Sequence, residues 1–369
     1  MKRSTGRQEM QRRSRLIEIG EGSIPAVVRR GYHEKMEGYR NMTGKRLLRS
    51  GAAGTAIIAV VVALSVPAFG QQVHDKAGTT SVPLLNLGFG PTGTALAEGL
   101  TAWSGSPDAV WWNPAAATRL ASGTGSLLAL GGARLYDGMN NTSLAWGTRL
   151  RGAGLVFLAS YSGLTGIEVR DDLPTPDPLS TTSAHDLTAG VSVGLPFMSG
   201  DIGFAIKGIY EKLHYTDAWG VAIDAGIQLP LPGDLLRVGA SVRNLGRMGV
   251  LDQVRLQLPW SVAIGAALIE PLEVGSWWLS AGADFWKPAD DWAQLRLGVE
   301  ASSDPLRLRI GTRQGRGWKT ISAGLGIVFG GWQFDYAYVY DPDPDRRFIG
   351  SIQRLGIQIQ LDDRNRSGR

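Results

Sequence analysis

The chain has 369 residues and no cysteine, which excludes a disulfide framework, a thiolate nucleophile and a cysteine-ligated metal. Glycine supplies 50 residues, about twice its usual share. The net charge of +5 comes from the amino-terminal end, because residues 1–49 hold 13 of the 38 basic and 5 of the 33 acidic side chains. The remainder is nearly neutral, so the composition gives no reason to expect a nucleic-acid partner.

The first element in the chain is an export signal that begins at Met42. Three basic side chains precede an apolar run from Ala56 to Val66, Pro67 ends that run, and Ala68-Phe69-Gly70 forms a small-x-small cleavage site. A transmembrane anchor is the alternative, since the apolar stretch approaches the roughly 20 residues that a span needs. The proline and the small residues favour cleavage. We therefore assign residues 42–70 to a signal peptide and residues 1–41 to a disordered or mis-annotated extension.

The segment SPDAVWWNPAAATRL, residues 106–120, places two tryptophans beside an Asn-Pro pair. Pro114 fixes its own φ and biases Asn113 towards an extended conformation, so the pair predicts a firm exit from a preceding helix-like run. The Asn113 side chain is suited to satisfying backbone groups at that corner. In an extended chain Trp111 and Trp112 point to opposite sides, one into a wall and the other into a lumen or a lipid interface.

From residue 126 onwards, short segments alternate between apolar and polar residues with a period of two. In WQFDYAYVY, for example, the aromatic residues from Trp332 to Tyr340 share one face, and Asp335 lies on the other. The pattern predicts fourteen strands: 126–135, 141–150, 152–170, 184–197, 201–215, 217–230, 235–245, 254–269, 276–287, 291–302, 305–314, 318–329, 332–340 and 348–361.

These strands favour an all-β fold, a transmembrane antiparallel β-barrel, over a soluble β-sandwich with the same alternation. The strand number is even, the strands are long enough to cross a membrane at a tilt, and tight turns alternate with longer polar loops. Tryptophans and tyrosines, among them Trp260, Trp286 and Trp332, lie near strand ends as interfacial girdles do. We assign residues 124–363 to an outer-membrane barrel and 364–369 to a polar tail.

The polar faces of the predicted strands gather charged side chains that we expect in the lumen. Structural ion pairs across the strands are favoured there, and a row that passes anions or binds an acidic group is the alternative. The candidate lumen charges are Arg237, Arg243, Asp284, Arg296, Glu300, Arg307, Arg309 and Asp335, with Glu211, Asp224 and Arg313 also on these faces.

Catalytic motifs are not convincing, and the sequence predicts that the protein is not an enzyme. GFGPTG at 88–93 matches a dinucleotide-binding pattern but lacks the βαβ unit. GVSVG at 190–194 matches a nucleophile elbow but lies within a strand, so Ser192 is expected to be a small strand residue. The scattered histidines support no zinc site. We expect neither a cofactor nor a metal.

The stretch LNLGFGPTGTALAEGLTAWSGSPDAVWWNPAAATRL resembles the opening of the PorV/PorQ family of outer-membrane proteins, which are relatives of FadL-type channels. Its hatch motif is Asp108, Trp111, Trp112, Asn113 and Pro114, although Ala116-Ala117 replaces the usual Gly-Leu. The resemblance covers roughly residues 80–361. It implies fourteen strands around an amino-terminal hatch, here residues 71–123.

Two functions follow from this resemblance. The first is a component of a type IX-like secretion system in the bacterial outer membrane, which binds secretion-system proteins or cargo at the cell surface. The alternative is a FadL-like channel for hydrophobic small molecules, gated by the hatch. Gly163 and Gly166 in the long third strand could kink it and open the wall for such a ligand. The expected partners are outer-membrane lipid and either those proteins or a hydrophobic ligand.

Overall fold

A computed structural model describes residues 74–120, 125–135, 138–171, 176–232, 235–268, 272–342 and 351–361. The expected extension 1–41, the signal peptide 42–70 and the tail 364–369 lie outside these residues. No helix in the described ranges has the length and apolar character needed to cross a membrane.

Among the described residues, five short helices come before the strands. They are the 3-10 helix Pro83–Asn86, α1 (Pro91–Ala95), α2 (Pro107–Trp112), the 3-10 helix Pro114–Ala116 and α3 (Ala117–Leu120). Each of the first four has proline near its start. This is where the missing N–H of proline costs nothing and its fixed φ already suits a helix. The sequence therefore breaks this region into single turns, which can pack at several angles in a small space.

Seventeen strand segments follow in the part of the chain that the structure describes. They are β1 (Ser126–Arg134), β2 (Asn140–Leu150), β3 (Ala153–Val169), β4 (Ser180–Phe197), β5 (Gly200–Leu213), β6 (Thr216–Pro230), β7 (Leu236–Met248), β8 (Val250–Leu251), β9 (Val254–Arg255), β10 (Ser261–Leu268), β11 (Leu272–Val274), β12 (Trp277–Pro288), β13 (Gln294–Ser303), β14 (Leu306–Gly315), β15 (Trp318–Phe329), β16 (Trp332–Tyr340) and β17 (Ile352–Leu361).

The strands form a closed antiparallel barrel with fourteen positions. Sequential neighbours pair around the ring, β10 pairs with both β7 and β12, and β1 pairs with β17 to close it. The short β11 pairs with β12 alone and continues the position of β10. Strands β8 and β9 pair only with each other, so this hairpin is not part of the barrel sheet. The predicted fold class and the number of strands are confirmed.

Most predicted strand ends agree with the structure within about four residues, but one strand was drawn too long. The expected strand 254–269 begins only at Ser261, because Val254 and Arg255 pair back with Leu251 and Val250 in the hairpin. The alternating residues Val250 and Val254 are more than half exposed. The alternating pattern around Val254 therefore comes from the β8–β9 hairpin and is not a continuation of the barrel strand β10.

The two faces of the wall differ as the alternation predicts. On β16, Trp332, Phe334 and Tyr336 are exposed on the outer face, whereas Asp335 and Ala337 are buried on the inner face. One interfacial assignment is wrong, because Trp286 is only 4% exposed and faces inwards. It shares the inner face of β12 with Asp284, while Phe285 between them is 58% exposed on the outer face.

Seven of the 50 glycines lie in two paired rows on the inner face of the wall. Gly154, Gly194, Gly203 and Gly226 are paired in sequence across β3 to β6, and Gly282, Gly298 and Gly311 are paired across β12 to β14. We call these seven residues the glycine belt. A Cβ atom on Gly154 would lie 1.9 Å from the Ala117 carbonyl oxygen. The belt therefore lets the helical segment lie directly on the backbone of the wall.

Candidate functional site

Residues 74–120 form a plug that runs through the lumen from one rim of the barrel to the other. At the rim where β1 ends, Ser81 N–H donates to the Gln257 carbonyl at 2.9 Å, and Thr80 Oγ1 bonds to Asp290. At the rim where β1 begins, the Arg119 guanidinium bonds to Asp201 at 2.6 Å. The hatch expected at 71–123 remains a prediction, but its described part occupies this path.

Asp108 ties the two main turns of the plug together. It lies in the first turn of α2, and its Oδ1 accepts a bond of 2.5 Å from the N–H of Gly90, the residue that caps the start of α1. Burial raises the pKa of Asp108 to about 6, and the backbone N–H of Gly90 and the charge of Arg354 oppose this rise. The Asp108 carboxylate thus accepts a bond at the start of α1, where negative charge is favourable, although its burial costs desolvation energy.

Trp111 and Trp112 do not lie in an extended segment, so the expectation that they point to opposite sides of an extended chain is wrong. Both belong to α2 and both are buried inside the barrel, at 3% and 1% exposed. The Trp111 indole N–H donates to the Leu87 carbonyl at 3.1 Å, and its ring lies 5.2 Å from Phe89. The Trp112 ring lies edge-on to Trp286 at 6.1 Å.

Asn113 and Pro114 end α2 as their sequence predicts. Asn113 is extended at φ −148° and ψ 110°, and it starts the next turn by accepting a bond from Ala115 N–H at 3.0 Å. Its Nδ2 donates to the carbonyls of Thr101 at 2.7 Å and Ile227 at 3.1 Å. The fully buried amide therefore joins two parts of the plug to the wall.

Two of the predicted lumen charges, Asp284 and Arg237, bond to the part of the plug between α1 and α2. Asp284 Oδ2 accepts bonds from the Thr101 N–H at 2.8 Å and the Thr101 hydroxyl at 2.6 Å. Arg237 donates to Ser104 Oγ at 2.7 Å. Each bond crosses from a wall strand to the chain between α1 and α2, so these side chains lie where the plug meets the wall.

Four other predicted charges interact along the wall. Arg309 bonds to Glu300 and Asp335, each at 2.6 Å, and Asp335 is buried. Arg307 lies nearer the rim, where it pairs with Asp304 of the adjacent turn at 3.3 Å. The structure thus brings Arg309, Glu300 and Asp335 together and leaves Arg307 outside that group.

Glu98 was not among the sequence candidates, although it joins the plug to two strands. Its carboxylate accepts a bond from Gly88 N–H at 2.6 Å and lies 3.6 Å from the Arg296 guanidinium and 3.1 Å from that of Arg313. Ala97 and Glu98 both have positive φ, 55° and 62°. Such a conformation is costly for residues other than glycine, and the contacts around it must hold it in place.

Arg243 is a predicted lumen charge with a single hydrogen bond among the described residues. It is 1% exposed, and Nη2 donates to the Leu85 carbonyl at 2.9 Å. In the part of the chain that the structure describes, its Nε and Nη1 have no hydrogen-bond partner and no carboxylate lies within 4.0 Å. Its guanidinium instead lies over the Trp112 ring at 4.2 Å and the Trp111 ring at 5.8 Å.

Arg296 and Lys207 extend this arrangement on both sides. The Arg296 guanidinium lies 4.6 Å from the Trp112 ring and 3.9 Å from the Trp286 ring. Lys207, which the sequence candidates missed, lies 4.8 Å from the Trp111 ring and pairs with Asp224 at 2.6 Å. We call the series Lys207, Trp111, Arg243, Trp112, Arg296 and Trp286 the cation–aromatic stack. It alternates cations with rings from β5, through α2, to β12.

The alternation on β5 could have identified Lys207. Phe204 and Ile206 face outwards, so Lys207 falls on the inner face.

A β-bulge lies at the position of Arg243. Strand β6 pairs regularly with β7 up to Ile223 opposite Leu245 and resumes at Ala225 opposite Val242, so one strand carries an extra residue between these pairs. Alternation alone does not reveal such an insertion.

A small pocket lies between the plug and the seam where the barrel closes. Phe89, Pro91 and Asp108 line it from the plug, while Gly131 of β1 and Gly356 of β17 line it from the wall. Gly131 and Gly356 are directly paired. A Cβ on Gly131 would have only wall atoms as its three nearest neighbours, so the plug leaves this inner-face glycine uncovered.

The expected kink in β3 takes the form of a bulge. Gly166 has φ 75°, and the pairing of β3 with β4 shifts between Thr165 and Ile167. Pairing continues on both sides of the shift, so the described wall between these strands stays closed.

For metals, the described residues contain no group of three or more histidine, cysteine, aspartate or glutamate side chains suited to holding an ion.

The barrel is similar in fold to solved outer-membrane transporters. The Pseudomonas putida toluene transporter TodX superposes with a TM-score of 0.52 at 11% identity over 79% of this chain and all of the other, and a second structure of it gives 0.52 over 74% and 98%. A Pseudomonas aeruginosa FadL homologue gives 0.45 at 12% identity over 80% and 99%. No protein-family model matches the sequence, and no curated protein is significantly similar to it. The fold is that of bacterial outer-membrane barrels.

Proposed function

We propose that this chain is an outer-membrane channel for hydrophobic small molecules, in which residues 74–120 gate the lumen. The observation that carries the proposal is a plug filling a fourteen-position barrel whose fold is similar to that of a protein described as a toluene transporter. The plug has a second relevant property: its described contacts with the wall are hydrogen bonds, ion pairs, ring contacts and apolar packing, all of which are non-covalent and can break and re-form.

The secretion role suggested by the PorV/PorQ resemblance receives no support from the comparisons. The two fold neighbours described above with a TM-score over 0.5 are structures of the toluene transporter, which favours the alternative that we drew from the sequence. A secretion component would also need a partner-binding surface, and the described residues offer no specific observation in its favour. We therefore pursue the channel.

The test uses intact cells, because a simple phospholipid bilayer passes toluene without a channel, whereas a lipopolysaccharide leaflet retards it. Cells that express this barrel should take up labelled toluene faster than cells that carry the empty vector. Cysteines at positions 101 and 284, where Thr101 and Asp284 are in hydrogen-bond contact, provide a removable lock in a chain that has no other cysteine.

Oxidation of the Thr101→Cys, Asp284→Cys pair should slow toluene uptake, and reduction should restore it in the same cells. Wild-type cells treated in the same way control for effects of the reagents. Uptake no faster than in empty-vector cells, with folded barrel present in the outer membrane, would contradict the channel. Uptake that is insensitive to the lock would contradict gating by the plug.

A further inference from the structure

Several buried hydrogen-bond donors in the cation–aromatic stack reach no acceptor among the described residues. Arg243 Nε and Nη1, Arg296 Nε and the indole nitrogens of Trp112 and Trp286 all lie buried without a hydrogen-bond partner in the described structure. Leaving such groups unpaired normally costs stability, and each case calls for an explanation. Here the contacts that the cations do make are with the faces of aromatic rings.

The cost is greatest for Arg243. A buried guanidinium usually repays its desolvation through a carboxylate, yet Arg243 has none within 4.0 Å among the described residues. Arg354, another buried inner-face arginine, bonds to the Phe89 carbonyl at 3.2 Å and to Asn141 Oδ1 at 3.1 Å, and no ring contact is described for it. A wall arginine can thus hold the plug without stacking on a ring.

The central ring of the stack belongs to the plug, and both of its cationic neighbours belong to the wall. Trp112 lies on α2, between Arg243 of β7 and Arg296 of β13, at 4.2 and 4.6 Å. If α2 moves to open the lumen, Trp112 leaves and two guanidinium groups remain on the wall. Because an indole is larger than a single benzene ring, the vacated space accepts one such ring without any pre-existing cavity.

We propose that Arg243 and Arg296 form a binding site for a small aromatic molecule, whose ring takes the place of Trp112 when the plug opens. The inference rests on the proposed channel function and narrows its substrate class, since it predicts preference for aromatic over saturated hydrocarbons of equal size. The physical reason is the attraction of a cation to the negative face of a ring, which a saturated ring lacks.

The test compares toluene with methylcyclohexane, which have the same number of carbon atoms and similar shapes. Arg243→Met removes the cation and keeps an apolar side chain of comparable length, and Arg354→Met is the matched control. The ratio of toluene to methylcyclohexane uptake in intact cells should fall about fivefold in Arg243→Met, as expected for one cation–π contact in a lumen that water enters when the plug opens. It should stay within about twofold of wild type in Arg354→Met. Equal ratios in the two variants would overturn the proposal.

A second measurement does not depend on transport. In purified Trp112→Ala protein, kept in detergent and shown to be folded by its heat-modifiable mobility, the site is vacant without plug movement. Toluene binding should gain more from this change than methylcyclohexane binding, and adding Arg243→Met should cancel the difference. An equal gain in affinity for the two hydrocarbons would mean that the space is only apolar, and this would contradict the proposed aromatic site.

The two measurements separate this inference from the function on which it rests. If purified Trp112→Ala protein prefers toluene but no cell takes up either hydrocarbon, the site stands and the channel fails. If cells take up both hydrocarbons at a ratio that Arg243→Met does not change, the channel stands and the site fails.

Discussion

The side-chain oxygen of Asn113 occupies the place where a Cβ atom on Gly226 would lie, with only 1.9 Å between the two positions. Asn113 is 0% exposed, and Gly226 lies on β6 next to Ile227, whose carbonyl accepts a bond from the same amide. The plug and the wall therefore fit at this point because one residue has a branched polar side chain and the other has none.

Gly226→Ala should displace the Asn113 amide and loosen the plug. The change breaks the Asn113 hydrogen bonds to the carbonyls of Thr101 and Ile227, at about 1 kcal/mol for each bond, while the Thr101 carbonyl keeps its bond from Gln228 Nε2 at 3.0 Å. Limited proteolysis of residues 74–120 in folded protein measures the release of the plug. Asn113→Ala and Pro114→Ala should also increase cleavage while heat-modifiable mobility stays that of a folded barrel. Loss of the folded barrel itself would contradict this division of roles.

Gly154→Ala should prevent close docking of α3, because its Cβ would lie 1.9 Å from the Ala117 carbonyl oxygen and backbone cannot rotate away as a side chain can. Gly132→Ala is the matched control, since a Cβ there meets nothing within 4 Å. We expect faster proteolysis of the plug in Gly154→Ala only. Equal protection in the two variants would show that the plug does not depend on contact with the glycine belt.

Glu98→Gln should weaken the plug by several kcal/mol, because it leaves Arg296 and Arg313 without their shared carboxylate in a buried site. The same change at Glu168, whose side chain is 51% exposed in its pair with Arg170, should cost less than about 1 kcal/mol. The midpoint of the heat-induced mobility shift compares the two. An unchanged midpoint in Glu98→Gln would show that the ion pairs of Glu98 with Arg296 and Arg313 do not stabilise the docked plug.

Docking of the plug should weaken as pH rises from about 4 to about 6. The docked pKa of Asp108, about 6, exceeds its ordinary value of 3.8, so the docked state binds the proton more tightly over this interval. Stability is therefore highest below the ordinary pKa and falls until the docked pKa is passed, by up to about 3 kcal/mol. Asp335 adds to the shift and Arg354 opposes it. Protease protection of the plug, measured from pH 4 to 7, reports this slope.

Asp108→Asn provides the control for that pH dependence. Asparagine keeps a carbonyl oxygen for the Gly90 N–H and does not titrate in this range. The difference between the wild-type and variant profiles should isolate Asp108 from other acidic groups in the barrel. Superimposable profiles would show that Asp108 contributes nothing to the pH dependence.

Alternation revealed the wall because each strand separates an outer lipid face from an inner polar face, as on β16. The same rule placed Arg309 and Asp335 on one face, where they are paired at 2.6 Å. It did not reveal Glu98, whose role depends on a strained turn and on strands about 200 residues further along. The helix-like run before Asn113 was predicted, but its extent was not: Trp111 and Trp112 were expected in an extended segment, because six residues carry too little periodicity to show where the turn ends.

The glycine belt makes the effect of a substitution in the plug conditional on the wall residue opposite it. A larger side chain that is harmless in a free helix becomes obstructive when the facing position gains a methyl group, and a smaller plug residue makes room for an alanine in the wall. Mutations at Asn113 and Gly226, where a side chain makes the contact, should therefore be tolerated in pairs more readily than singly, whereas no substitution at Ala117 removes the backbone that faces Gly154. A barrel of this kind cannot exchange its plug for that of a relative unless the facing strands are exchanged with it.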